Sequence, residues 1–150
     1  MDCSRRDLAL LLPGLLAAAQ AADAAHPHHK DTVLPSRCYP FDSLHERTNP
    51  KTHNQTRQVL DGLTHDRFHV DLHITTLAPG EMPHPPHSHV WEEMTLVQKG
   101  TLEATISGRS TRVGPGGVIY VASENRHGWK NVGDTPAQYF VIAFRGIEPA

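Results

Sequence analysis

Phe68-His69-Val70-Asp71-Leu72-His73-Ile74-Thr75 alternates apolar and polar residues at every step. A period of two marks a strand, because successive side chains of extended backbone point to opposite faces. Phe68, Val70, Leu72 and Ile74 make one face, and His69, Asp71, His73 and Thr75 make the other. The pattern leaves open which face turns inward. Ala78-Pro79-Gly80 ends the strand with residues that favour a turn.

The rest of the chain repeats this design. Residues 90–98 read as a strand closed by Lys99-Gly100, and residues 101–106 as one ended by Ser107-Gly108. Residues 111–113 lead into Gly114-Pro115-Gly116-Gly117, and residues 118–122 make another strand. Asn131-Val132-Gly133-Asp134 reads as a turn, and residues 138–144 as a closing strand rich in aromatic and β-branched side chains. Helical periodicity is nearly absent from Arg57 onward. Short strands separated by regularly spaced turns imply a sandwich or a barrel, and a closed barrel removes exposed edges. The expected fold class is all-β.

Histidine is the outlier in composition, at 12 of 150 residues. In His87-Ser88-His89-Val90-Trp91-Glu92-Glu93, extended backbone puts His87, His89, Trp91 and Glu93 on one face and Glu92 on the other. Two imidazoles and a carboxylate on one side of a strand supply most of a coordination sphere for a divalent metal. A surface cluster of histidines would not need Glu93 in that phase. A fourth ligand must come from elsewhere, and His127, just past the strand 118–122, is the candidate.

Gly80, six residues, His87-x-His89, three residues, Glu93, six residues and Gly100 resemble the first motif of the cupin superfamily. The first gap is one residue longer than the usual spacing. Gly116, an approach strand, His127, three residues and Asn131 resemble the second motif. Ala122 and Glu124 stand where the family usually has Pro and Gly, which puts the shape of that turn in question. The resemblance spans roughly residues 68–144. It implies a double-stranded β-helix, a jelly-roll barrel, holding one divalent transition metal near its open end. The implied ligands are His87, His89, Glu93 and His127, with positions left for water, dioxygen or substrate. Mn, Fe, Ni, Cu and Zn all suit three imidazoles and a carboxylate. Each would need unprotonated imidazoles, with ligand atoms ~2.0–2.2 Å away for a zinc-like ion.

Four other residues are candidates for the substrate pocket. His84, in the Pro-rich loop 82–86, would line the mouth, or else be solvated. His73 would touch substrate or a metal ligand if its face points inward. Trp91 and Tyr120 would be pocket walls, with ordinary packing as the alternative. The resemblance implies a metal-dependent enzyme acting on a small molecule, with dioxygenase-type chemistry first and isomerase or hydrolase chemistry as variants. Glu93 is then a candidate base. The alternative is a non-catalytic periplasmic protein that binds a small molecule or sugar. Packing of barrels edge to edge into a homodimer is a further implication.

A net charge of −2 argues against a nucleic-acid or anionic-membrane partner. No apolar run reaches the ~20 residues that a spanning helix needs. The chain opens with Ser4-Arg5-Arg6-Asp7-Leu8, an apolar stretch over 8–19, and small residues over 17–25 with Ala-x-Ala cleavage options. That order reads as a signal peptide over residues 1–25, and the paired arginines suggest the twin-arginine type. Pro13-Gly14 argues against a helix of the folded domain there. The expected location is periplasmic or secreted. Residues 26–56 then form a tail and wrapping segment, and residues 57–146 the barrel. Cys38 would be the lone cysteine of the mature chain, left either to pair with a second chain or to sit partly buried.

Overall fold

A computed structural model describes residues 32–146, so the expected signal peptide and residues 26–31 of the tail lie outside the described residues. After a 3-10 turn at Phe41–Ser43 come β1 (Glu46–Thr48), β2 (Gln55–Leu63), β3 (Phe68–Leu77), β4 (Glu92–Lys99) and β5 (Leu102–Ile106). They are followed by β6 (Arg109–Val113), β7 (Val118–Val121), β8 (His127–Asn131) and β9 (Ala137–Gly146). The described residues contain no α-helix. The strands form a six-stranded sheet in the order β1-β2-β3-β9-β4-β7 and a three-stranded sheet in the order β6-β5-β8. The last strand lies between β3 and β4, and β8 lies beside β5, so the chain winds back and forth between the sheets. The fold is all-β, a jelly-roll double-stranded β-helix.

Alternation decides what lies between the sheets. Ala137, Tyr139, Val141 and Ala143 of β9 are buried, as are Thr95 and Val97 of β4 and Ile119 and Val121 of β7. They meet Leu102 and Ala104 of β5 and Trp129 of β8 in the core. Burying each large apolar side chain here contributes about 1.5–3 kcal/mol.

The register of β3 settles its orientation. Thr75 pairs with Tyr139, His73 with Val141 and Asp71 with Ala143. The polar face of β3 is therefore the interior one. Its apolar face is covered from outside, near Ile74, by the segment preceding β1. Tyr39, Phe41 and Leu44 line a cleft with Val59, Ile74 and Phe140, and Ile74 is only 5% exposed. Cys38, in the same segment, is exposed rather than partly buried.

Two boundaries differ from the sequence reading. The strand expected to start at residue 90 starts at Glu92, so His87 and His89 precede it. Residues 127–130, given no element in the sequence reading, and Asn131, read as the start of a turn, form β8.

Candidate metal centre

Three backbone attachments bring the loop 87–91 to the start of β8. The His87 N–H donates to the His127 carbonyl at 2.9 Å, and the His127 N–H donates back to the His87 carbonyl at 2.8 Å. The Glu124 N–H donates to the His89 carbonyl at 2.8 Å. The Ser123 hydroxyl donates to the Val90 carbonyl at 2.9 Å. Gly128 permits this closeness, since a Cβ there would lie 3.1 Å from Pro86. Convergence thus rests on a bridge between loop and strand, with Glu93 presented by β4 and His127 by β8, while His87 and His89 come from the loop.

The imidazoles of His87, His89 and His127 form a nearly equilateral triangle, with ring centroids 5.0, 4.8 and 5.0 Å apart. One nitrogen from each lies within 4.8 Å of the others. The Glu93 carboxylate lies among them, with Oε1 3.1 Å from His89 Nε2 and Oε2 3.4 Å from His127 Nε2. His127 is 1% exposed and Glu93 6%.

The remaining ring nitrogens fix the tautomers. His89 Nδ1 donates to the Trp91 carbonyl at 3.0 Å, and His127 Nδ1 donates to the Asn125 carbonyl at 2.8 Å. Carbonyls only accept, so each Nδ1 carries the proton and each Nε2 turns toward the carboxylate. His127 Nε2 and His87 Nδ1 are buried without a hydrogen-bond partner. A neutral imidazole lone pair against a carboxylate is repulsive unless a cation stands between them. Two ligands ~2.1 Å from one ion, at right-angled to tetrahedral geometry, are about 3.0–3.4 Å apart. That matches the spacing of Glu93 from His89 and His127, so this donor set fits a divalent transition metal.

Electrostatics show the same tension. Burial pulls the Glu93 carboxyl upward, but the His127 and His89 rings at its two oxygens, which donate to it once protonated on Nε2, outweigh it and hold the group below the usual carboxylate range. His89 is raised, chiefly by its hydrogen bond to Glu93. Burial, then the neighbouring imidazoles of His84, His127 and His89, lower His87 to about 4.

A family model described as a cupin domain matches residues 73–143. Those residues resemble a cupin domain. Solved structures agree at the level of the fold. KdgF from Halomonas sp. superposes with a TM-score of 0.61 at 16% identity, over 76% of this chain and 96% of its own. An RmlC-like cupin from Shewanella frigidimarina gives 0.59 at 14%, over 75% and 95%. The polyketide cyclase RemF from Streptomyces resistomycificus gives 0.58 at 22%, over 78% and 88%. No curated protein matches the chain by sequence.

Around the histidine cluster, the other candidates separate. His84 packs edge-on against His87 with ring centroids 4.2 Å apart, and burial lowers its pKa. Trp91 is buried and lies 5.9 Å from the ring of His69 on β3. His73 is on the interior face, its Nδ1 2.8 Å from Asp71 Oδ1. Tyr120 is 51% exposed, with Ile119 and Val121 taking the inward positions of β7, and it lines a cleft with Ile106, Ile119 and Asn125 that none of the four candidate ligands lines. Asp71 stood in view on the polar face of β3 but was not singled out. Gln58 and Gly128 carried no signal, because their neighbours come from distant strands.

The departure at Glu124 in the second motif also resolves. Glu124 adopts a positive φ of 63°, so the turn keeps the left-handed shape that a glycine would take there. Asn131 is fully buried, its amide donating to the carbonyls of Leu77 at 3.0 Å and Thr135 at 2.8 Å. It braces the turn.

Proposed function

We propose that this protein is a cupin-type metal-dependent enzyme acting on a small molecule, with dioxygenase-type chemistry as the first reaction class to test. The observation that carries the reading is a buried carboxylate faced by the Nε2 atoms of two imidazoles whose protons are committed to backbone carbonyls. His87, His89, Glu93 and His127 would hold the ion. When bound, it would act as a Lewis acid with coordination positions open to a small ligand. The chain's own groups do the rest. The Trp91 and Asn125 carbonyls orient the ligating rings, and burial of His127 and Glu93 excludes bulk water from that side of the centre.

Metal analysis of tag-free protein, followed by oxygen consumption with phenolic and diketone compounds, tests the proposal. Stoichiometric metal with turnover supports it. Stoichiometric metal with no turnover across a broad panel would favour a binding protein instead. We further propose export to the periplasm by the twin-arginine route. Cell fractionation of the full chain tests it: Arg5→Lys with Arg6→Lys is expected to retain the protein in the cytoplasm, and unchanged export would overturn that route.

A further inference from the structure

We propose that His73, oriented by Asp71, is a general base facing the metal centre, and that the substrate is a small carbonyl compound with an acidic C–H. This inference rests on the metal-dependent reading above and deepens it.

The dyad lies on the interior face of β3, opposite Val141 and Ala143 of β9. Ala143 also pairs with Glu93 of β4, so Asp71, Ala143 and Glu93 form one row across the sheet. Two strand spacings, about 9.5–10 Å, separate the outer members of that row. Within that row the intervening side chain is the Ala143 methyl group. Trp91 closes the same space, with its ring beside His69 of β3 and its carbonyl holding His89 of the metal centre. A substrate of a few heavy atoms would lie between the dyad and the metal centre with an oxygen toward the histidines and a carbon toward His73.

Asp71 fixes the chemistry of His73. Its Oδ1 accepts from His73 Nδ1 at 2.8 Å, and its Oδ2 accepts from Gln58 Nε2 at 3.2 Å. A carboxylate can only accept, so the imidazole proton sits on Nδ1 and the lone pair on Nε2. Nε2 has no hydrogen-bond partner among the described residues, and the side chain is 25% exposed. A base oriented by a carboxylate, itself held by an amide, is the arrangement of an activated proton acceptor. In the proposed step Nε2 takes the C–H proton and the C–H electron pair becomes the C=C bond. The carbonyl π pair moves to oxygen as an enolate at the histidine end. The imidazolium is balanced by Asp71, and return of the proton restores both partners, so no oxidant is consumed.

The test uses zinc-loaded full-length protein, without oxygen, and pyruvate in deuterium oxide, read by proton NMR. Deuterium is expected to enter the methyl group faster than with zinc and buffer alone. His73→Gln is expected to lower that rate by about 100-fold or more, with zinc stoichiometry unchanged. Exchange no faster than with free zinc, or undiminished in His73→Gln, would overturn the proposal. A second reading needs no metal: nitrogen-15 shifts of the metal-free protein should show His73 protonated on Nδ1, and in Asp71→Ala a mixture of tautomers. An Nε2-protonated His73 would overturn the base assignment whatever the metal result. Failure to bind zinc would instead strike the metal-dependent reading, and the two failures are told apart by metal analysis.

Discussion

At the scale of single residues, the site depends on where protons and backbone angles are allowed to be. Glu124 takes a left-handed conformation that costs a non-glycine residue of order 1 kcal/mol or more. Glu124→Gly should therefore be neutral or stabilising by up to about 1 kcal/mol, after the entropy that glycine adds to the unfolded chain. Thermal melts check this, and marked destabilisation would contradict the strained turn. Asn131→Ala would strand the carbonyls of Leu77 and Thr135 and the Gly133 N–H in the interior. The expected loss is about 2–3 kcal/mol in chemical denaturation.

Protonation gives a pH prediction at the same scale. His89 is held above its ordinary value by its hydrogen bond to Glu93, and a protonated imidazole cannot ligate. Metal affinity should fall as pH is lowered, with the loss beginning above the ordinary histidine value of about 6.5. His87 stays neutral down to about 4 and adds nothing in that window. Calorimetric titrations between about pH 5 and pH 8 decide this, and an affinity flat across the range would contradict it.

At the scale of elements, β3 shows how far a pattern can be read. Its period of two was plain in residues 68–75, but its facing was not, because alternation is blind to sign. The sign is set by the segment before β1, which caps the apolar face near Ile74 and lets His69, Asp71 and His73 turn inward. For the histidine pair the outcome matched the pattern while the cause differed. His87 and His89 lie ahead of β4 and are positioned by the bridge to His127. Strand phase alone could not reveal that bridge, nor the close passage of Pro86 over Gly128. Gly128→Val should push the loop away and weaken metal affinity about tenfold or more while the barrel still folds. Circular dichroism and a metal titration on the same sample separate the two effects.

At the scale of the whole molecule, the nearly all-β architecture and the four converging residues were legible from sequence, and the reaction was not. Strand periodicity and ligand spacing are local properties. The shape of the cavity is set by which strands become neighbours, and β9 inserts between β3 and β4. The same topology makes the centre a clamp, because its ligands come from β4, β8 and the loop that precedes β4. An ion bound there joins both sheets and should stabilise the fold as a unit. At a free metal concentration 100 times Kd the gain is about 2.7 kcal/mol, or roughly 10 °C in Tm for a domain of this size.

The most direct test of the centre is metal stoichiometry by elemental analysis in tag-free protein, for the natural chain beside His127→Ala and Glu93→Ala. One ion per chain is expected in the natural protein, with loss of tight binding in both variants. An ion that persists in both, or no ion in the natural protein under any of the five metals, would contradict a centre built on these residues.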